Sequence, residues 1–209
     1  MKLNEANTRP DRHERRAPRP LTSARLEEMA LAYVARFATS AGKLEAFLSR
    51  KLRERGWEGE EHSGEGRAAI AALIGRFVEL GYVDDAGFAR MRSGSLLRRG
   101  YGARRIAQDL DAAGIDEHIR EECAPDEGAA RRAALALARK KGLGPYTRGV
   151  EPGESLDPAL REKQMASLLR AGHGMGVARA LIALRSVAEA EEWVAEAGDG
   201  GEPARGFWD

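Results

Sequence analysis

Residues 95–110 read SLLRRGYGARRIAQDL and carry four arginines, Arg98, Arg99, Arg104 and Arg105, within eight positions. Widening the window to residues 86–108 adds Arg90 and Arg92 and still includes no Asp or Glu. Guanidinium groups are planar, permanently charged and rich in donors, so such a cluster supports recognition of carboxylate or phosphate rather than bond making. Gly100 and Gly102 mark a tight corner. Arg98 and Arg99 therefore end one helix, where the helix dipole favours cations, and Arg104 and Arg105 begin the next, where it opposes them. All four are expected to point into one patch, and Arg92 and Arg99, seven apart, share a helix face. The competing reading is a solvated face whose arginine stems cover alanines, with Arg105 paired to Asp109 one turn on.

No other combination of residues offers a reaction. The glycines at 100–102 and in GHGMG, 172–176, follow no strand and precede no Gly-Lys-Ser/Thr, so they read as helix corners rather than phosphate loops. His118 and Cys123 lie five apart with no second ligand pair, which argues against a metal site. His13 and His62 fall in polar segments, and the Glu60-Glu61 pair has no apolar pocket to shift a pKa. The expectation is a protein that is not an enzyme, with no catalytic residue, metal or cofactor.

The elements that must hold these arginines are helices. Alanine is abundant, Leu, Glu and Arg are common, and Val, Ile and Thr are scarce, a set of helix formers without strand formers. Aromatics make up only 6%, so the core must come from Ala and Leu in closely packed helices. The formal charge of +1 balances 34 Lys and Arg against 33 Asp and Glu. Any anion-binding surface is therefore local rather than a property of the whole molecule. A single cysteine, Cys123, permits no internal disulfide and fits a reducing compartment. No apolar run approaches the length of a membrane span, so a cytoplasmic monomer is expected.

Apolar positions at helical spacing recur along the chain. SARLEEMALAYVARFA has a cap candidate at Ser23; GKLEAFLSRKLRERG, GRAAIAALIGRFVELG, DDAGFARMRSGSLLRRG and ARRIAQDLDAAG each close on a glycine. After these come DEHIREECA, EGAARRAALALARKKG, DPALREKQMASLLRAG, GMGVARALIALRS and AEAEEWVAEA. Some of them repeat. At an offset of 72, Leu97, Arg98, Gly100, Tyr101 and Gly102 fall on Leu169, Arg170, Gly172, His173 and Gly174; at 62, Arg98 and Gly102 fall on Arg36 and Ser40. The pattern is a helix, a tight turn and a second helix, followed by an Ala-rich third. The predicted fold is all-α, an elongated array of three tandem three-helix, helix-turn-helix-like repeats, each too small to bury a core alone. The expected layout is a disordered basic tail over 1–22, repeats over 23–82, 83–141 and 158–197, a surface Gly/Pro loop over 142–157, and a tail over 198–209. In GYVDD, Gly81 suits a helix end, Asp84 or Asp85 a cap, and Tyr82, Val83 and Phe88 the joint between units. Trp57 and Trp193 read as packing residues.

Residues 80–116, LGYVDDAGFARMRSGSLLRRGYGARRIAQDLDAAGID, resemble the central signature of the RecX family. The likeness lies in Gly81-Tyr82-Val83-Asp84-Asp85, Phe88-Ala89, Arg98-Arg99, Gly102, Arg105-Ile106, Leu110 and Gly114-Ile115. It extends more loosely over about 25–190; in the third copy Gly176-Val177 stands where the second has Arg104-Arg105. The resemblance implies a non-catalytic negative modulator of RecA in DNA repair and recombination. It would bind the RecA–DNA filament through Arg90, Arg92, Arg98, Arg99, Arg104 and Arg105 and inhibit ATP turnover and strand exchange. Gly81, Tyr82, Asp84, Asp85, Phe88, Gly102, Ile106 and Leu110 would serve as structural signature. The arginines' target would be acidic filament surface, DNA phosphates within it, or both. Two other readings stand beside it. One is a helix-turn-helix-like protein that binds single- or double-stranded DNA weakly and without sequence preference. The other is a helical scaffold whose arginines are dispensable.

Overall fold

A helix, a glycine-marked turn and another helix recur through the computed structural model, which describes residues 19–58, 64–149, 154 and 156–198. Among these, ten α-helices form and no β-ladder does: α1 Ser23–Val34, α2 Ala41–Arg55, α3 Gly64–Glu79, α4 Asp85–Arg98, α5 Ala103–Asp111, α6 Glu117–Glu122, α7 Glu127–Lys141, α8 Pro158–Arg170, α9 Met175–Ala183 and α10 Val187–Glu196. Side-chain caps start most of them. Asp84 accepts from the Gly87 amide at 2.8 Å, and Asp126 and Ser186 do the same for α7 and α10. At α1 the cap is Thr22, which accepts from the Arg25 amide at 3.2 Å, and the expected cap Ser23 is the first helical residue.

Three apolar cores divide the helices. Leu26, Ala30, Leu44, Leu48, Leu52, Ile70, Leu73 and Phe77 bind α1–α3 together, and Val83 closes that core from below the turn. Phe88, Ala89, Leu96, Ile106, Leu110 and Ile115 unite α4–α6. Ala134, Leu137 and Ala138 of α7 sit in one core with Leu168, Ala178, Leu181, Ile182 and Ala190 of α8–α10.

This redraws the expected layout at four places. Helix α7, placed by its Ala-rich likeness to α3 in a repeat ending at 141, gives its apolar face to the core of α8–α10 and also lies against α4, so it bridges the second and third units. The start of the expected 142–157 loop is no surface spacer, although Arg148, Gly149, Glu154 and Asp157 further on are exposed: Leu143 and Gly144 are buried, a 3-10 turn runs Gly144–Tyr146, and buried Gln164 accepts from the Gly144 amide at 2.7 Å. The Gln164 amide in turn donates to Thr147 at 2.8 Å. Leu21, assigned by composition to the tail, is fully buried, and its backbone exchanges hydrogen bonds with Gly56 and Glu58. The remainder of the two tails, 1–18 and 199–209, lies outside the described residues. Finally, Tyr82 does not fill the joint between units; it is 53% exposed and stands edge-on to Phe77.

Phe88 does meet the first unit, with Lys43 of α2 4.9 Å over its ring, and polar and backbone contacts form the rest of that joint. Asp85 accepts from the Ala41 amide of α2 at 2.8 Å, Ser40 donates to the Ala113 carbonyl at 2.6 Å, and Gly42 lies against Gly114. Trp57 packs on the first core and Trp193 on the third, where Arg131 covers its ring.

Candidate anion-binding site at the joint of the second and third units

Helix α5 buries Ala103, Ile106 and Leu110 and leaves Arg104, Arg105 and Gln108 exposed. Its N-terminal amides are not open to solvent. The Gly102 amide donates to the Ala171 carbonyl at 2.9 Å, and the Arg104 amide to the Gly172 carbonyl at 3.1 Å. Those carbonyls belong to the end of α8, so the negative end of one helix abuts the positive start of another. This satisfies orphan amides of α5 and offsets the dipole cost of beginning a helix with two arginines.

The approach needs glycine. A Cβ on Gly102 would lie 2.4 Å from Gly172 backbone atoms, and one on Gly172, whose φ is +89°, would lie 2.4 Å from the Arg105 nitrogen. His173, only 2% exposed, completes the joint with Nε2 3.0 Å from the Gly100 carbonyl. Nε2–H is therefore the donor and Nδ1 is bare in the neutral ring. Burial holds this imidazole below the ordinary histidine value, against the opposing pull of the Gly100 hydrogen bond.

The six arginines do not act as one group. Arg92 donates twice to Asp109, at 2.6 and 2.7 Å, and clasps α4 to α5. The expected Arg105–Asp109 pair does not form, because Arg92 occupies both carboxylate oxygens. Asp109 is held below the ordinary carboxylate value first by those hydrogen bonds, against burial, and further by the charges of Arg92, Lys43 and Arg105. Arg90 lies towards α6, where its charge works against the burial that raises the Cys123 thiol pKa. His118 contacts Glu122 at 3.2 Å. Around the corner remain Arg98, Arg99, Arg104 and Arg105, all exposed, with the Arg99 guanidinium 5.2 Å over the Tyr101 ring.

The joint adds a residue that sequence reasoning aligned without counting. Arg170, the counterpart of Arg98, ends α8 and is exposed immediately before Ala171. Residues 163–188 contain Lys163, Arg170, Arg179 and Arg185 and no Asp or Glu, so the stretch is acid-free like 86–108. The backbone bonds between the corners bring these two stretches together. The signal was present in the sequence as a second acid-free window at the repeat offset.

Among the described residues, no group of three potential metal ligands converges, and no helix is long and apolar enough to cross a membrane. Three-helix units joined at glycine corners, with exposed arginines around the second joint, define an all-α helical repeat array. The sequence profile described as "RecX, second three-helix domain" matches residues 84–123, which are α4–α6 and their cap. The protein is 33% identical over 187 residues to "Regulatory protein RecX" of Myxococcus xanthus, covering 86% of this chain and 97% of the relative. It is 30% identical over 178 residues to the protein of that name from Mycobacterium sp. (strain JLS), covering 83% and 91%. The crystal structure of RecX from Lactobacillus salivarius superposes with a TM-score of 0.58 at 19% identity, over 77% of this chain and 94% of that one, and has the same fold. The chain belongs to the RecX family.

Proposed function

We propose that this protein is a negative modulator of the RecA recombinase, binding the RecA–DNA filament and reducing its ATP turnover and strand exchange. The observation that supports the anchoring surface is the union of two acid-free stretches at one joint, with Arg98, Arg99, Arg104, Arg105 and Arg170 around it. Arg92 is no part of that surface, being engaged by Asp109. A stacked helical array offers a long surface suited to a helical partner. The reading places the protein in the cytoplasm and without catalytic chemistry.

Direct recognition of duplex by α5 is the weaker reading. The helix start is covered by Ala171 and Gly172, and Asp109 and Asp111 at its other end would repel phosphate.

The test is ATP hydrolysis by RecA on single-stranded DNA, titrated with wild type and with Arg98, Arg99, Arg105 and Arg170 all changed to Ala. Inhibition by wild type and its loss in the folded variant is the expected result. Equal inhibition by both would move the anchor elsewhere, and no inhibition by either would refute the modulator reading.

A further inference from the structure

The first unit carries a second cationic surface of different composition, built on aromatic rings. Tyr33 stacks on Phe47, centroids 4.4 Å apart and planes 21° apart, and Phe37 leans on Tyr33 at 5.3 Å. The outermost ring is bare: Phe37, in the turn after α1, is 56% exposed. Burying a phenylalanine is strongly favourable, so a chain that leaves one at the tip of a ring ladder forgoes that gain. Cations flank the ladder. Arg36 precedes Phe37, is exposed and has no salt bridge among the described residues, and the Arg50 guanidinium stands 5.7 Å over Phe47. Arg50 has one ion pair, a 3.8 Å contact with Glu54 in which both side chains are about half exposed.

Acids are sparse around the ladder, Glu54 against Arg50 being the one that pairs with its cations among the described residues. Residues 29–44 contain Arg36 and Lys43 and no Asp or Glu. Glu28, in the middle of α1, is held by Arg25 at 2.6 Å, and Glu45, two residues from Phe47 on α2, projects from a different side of the helix.

A bare ring beside guanidinium groups is the combination that takes an unpaired base on its face and the adjoining phosphates on the cations. Duplex DNA cannot use it in this way, because its bases are stacked on one another. We infer that Tyr33, Phe37 and Phe47, with Arg36 and Arg50, form a stacking platform for single-stranded nucleic acid. The platform lies on α1 and α2, apart from the arginine joint of the second and third units, and does not depend on the recombinase reading.

The test measures binding of a fluorescent oligothymidylate of roughly 16 nucleotides, and of a duplex of equal length, to the full chain. The proteins are wild type, Phe37→Ala and Phe37→Trp, with circular dichroism confirming the fold. Phe37→Ala is expected to weaken single-strand binding about tenfold while leaving its salt dependence unchanged, since no phosphate contact is removed. Phe37→Trp should retain affinity and show emission quenched on binding, beyond the wild-type tryptophan signal. Duplex binding should change less than about twofold, since duplex bases do not reach the ring. No oligothymidylate binding by wild type, no loss in Phe37→Ala, or equal losses for single strand and duplex would each overturn the inference. RecA inhibition, read separately, tests the modulator proposal whichever way this result falls.

Discussion

Replacing Gly102 by Ala tests the joint between the second and third units with one methyl group. The Gly102 backbone, φ −86° and ψ 174°, is open to any residue, so the whole effect must come from space. The new Cβ would fall 2.4 Å from the carbonyl carbon and oxygen of Gly172 and 2.5 Å from the His173 nitrogen. All three are backbone atoms of a corner that cannot swing aside like a side-chain tip. If the units stay together, the strain is that of overpacking, about 1–3 kcal/mol. If they part, the Gly102 and Arg104 amides lose their carbonyl partners at about 0.5–1.5 kcal/mol each, and the His173 bond to Gly100 goes with them. Both routes give about 1–3 kcal/mol, or a fall in Tm of roughly 2–12 °C for a chain of this size. Urea unfolding followed by circular dichroism measures it, and amide hydrogen exchange should quicken at Arg104. The control is Gly75→Ala in mid-α3, where an added Cβ has nothing within 4 Å; it should stabilise by about 0.5–1 kcal/mol. A loss at Gly102 below about 0.5 kcal/mol, within the range of ordinary surface changes, would refute the close-contact account.

Three further outcomes are expected. Asp109→Asn breaks the charge pair with Arg92; because the folded Asp109 value is lowered, its contribution is complete above the unfolded value of about 3.9. It is lost as pH falls from there through the folded value, so the urea midpoints of wild type and variant should converge in acid. His173 is lowered by burial, so the unfolded chain takes up its proton first. Wild type should therefore lose stability as pH drops below about 6.5, and His173→Gln, which cannot titrate, should show a flatter pH profile. Asp85→Ala removes the acceptor for the Ala41 amide across the first joint; a loss of about 1 kcal/mol in urea unfolding is expected, and none would mean that Ser40 and Gly42 hold the joint alone.

Much of this fold can be read from the sequence because its local signals agree. Apolar spacing finds the helices, and Gly81, Gly100, Gly114 and Gly172, all with positive φ, fall where the chain turns between them. The boundary after the second unit is not legible, because α7 and α3 are both Ala-rich and differ in partner rather than in pattern. Nor is the Arg92–Asp109 clasp, which joins residues 17 apart on two helices. Reasoning within one helix pairs Asp109 with Arg105. The arginine corner is visible at once, but its third-unit half depends on a contact between two glycine turns that only the folded chain reveals.

Helix α4 touches the first unit at one end, through Asp85, and the third at the other, where Gly100 meets Leu137 and His173. Its 14 residues span about 21 Å and, together with α5, which meets the first unit near Ala113 and the third at Gly102, help set the separation and the phase of the outer units. One extra residue would lengthen it by only about 1.5 Å but turn one outer unit by about 100° against the other. A seven-residue insertion would add about 10 Å and keep the phase within about 20°. The length of this one helix therefore governs spacing and facing in different ways.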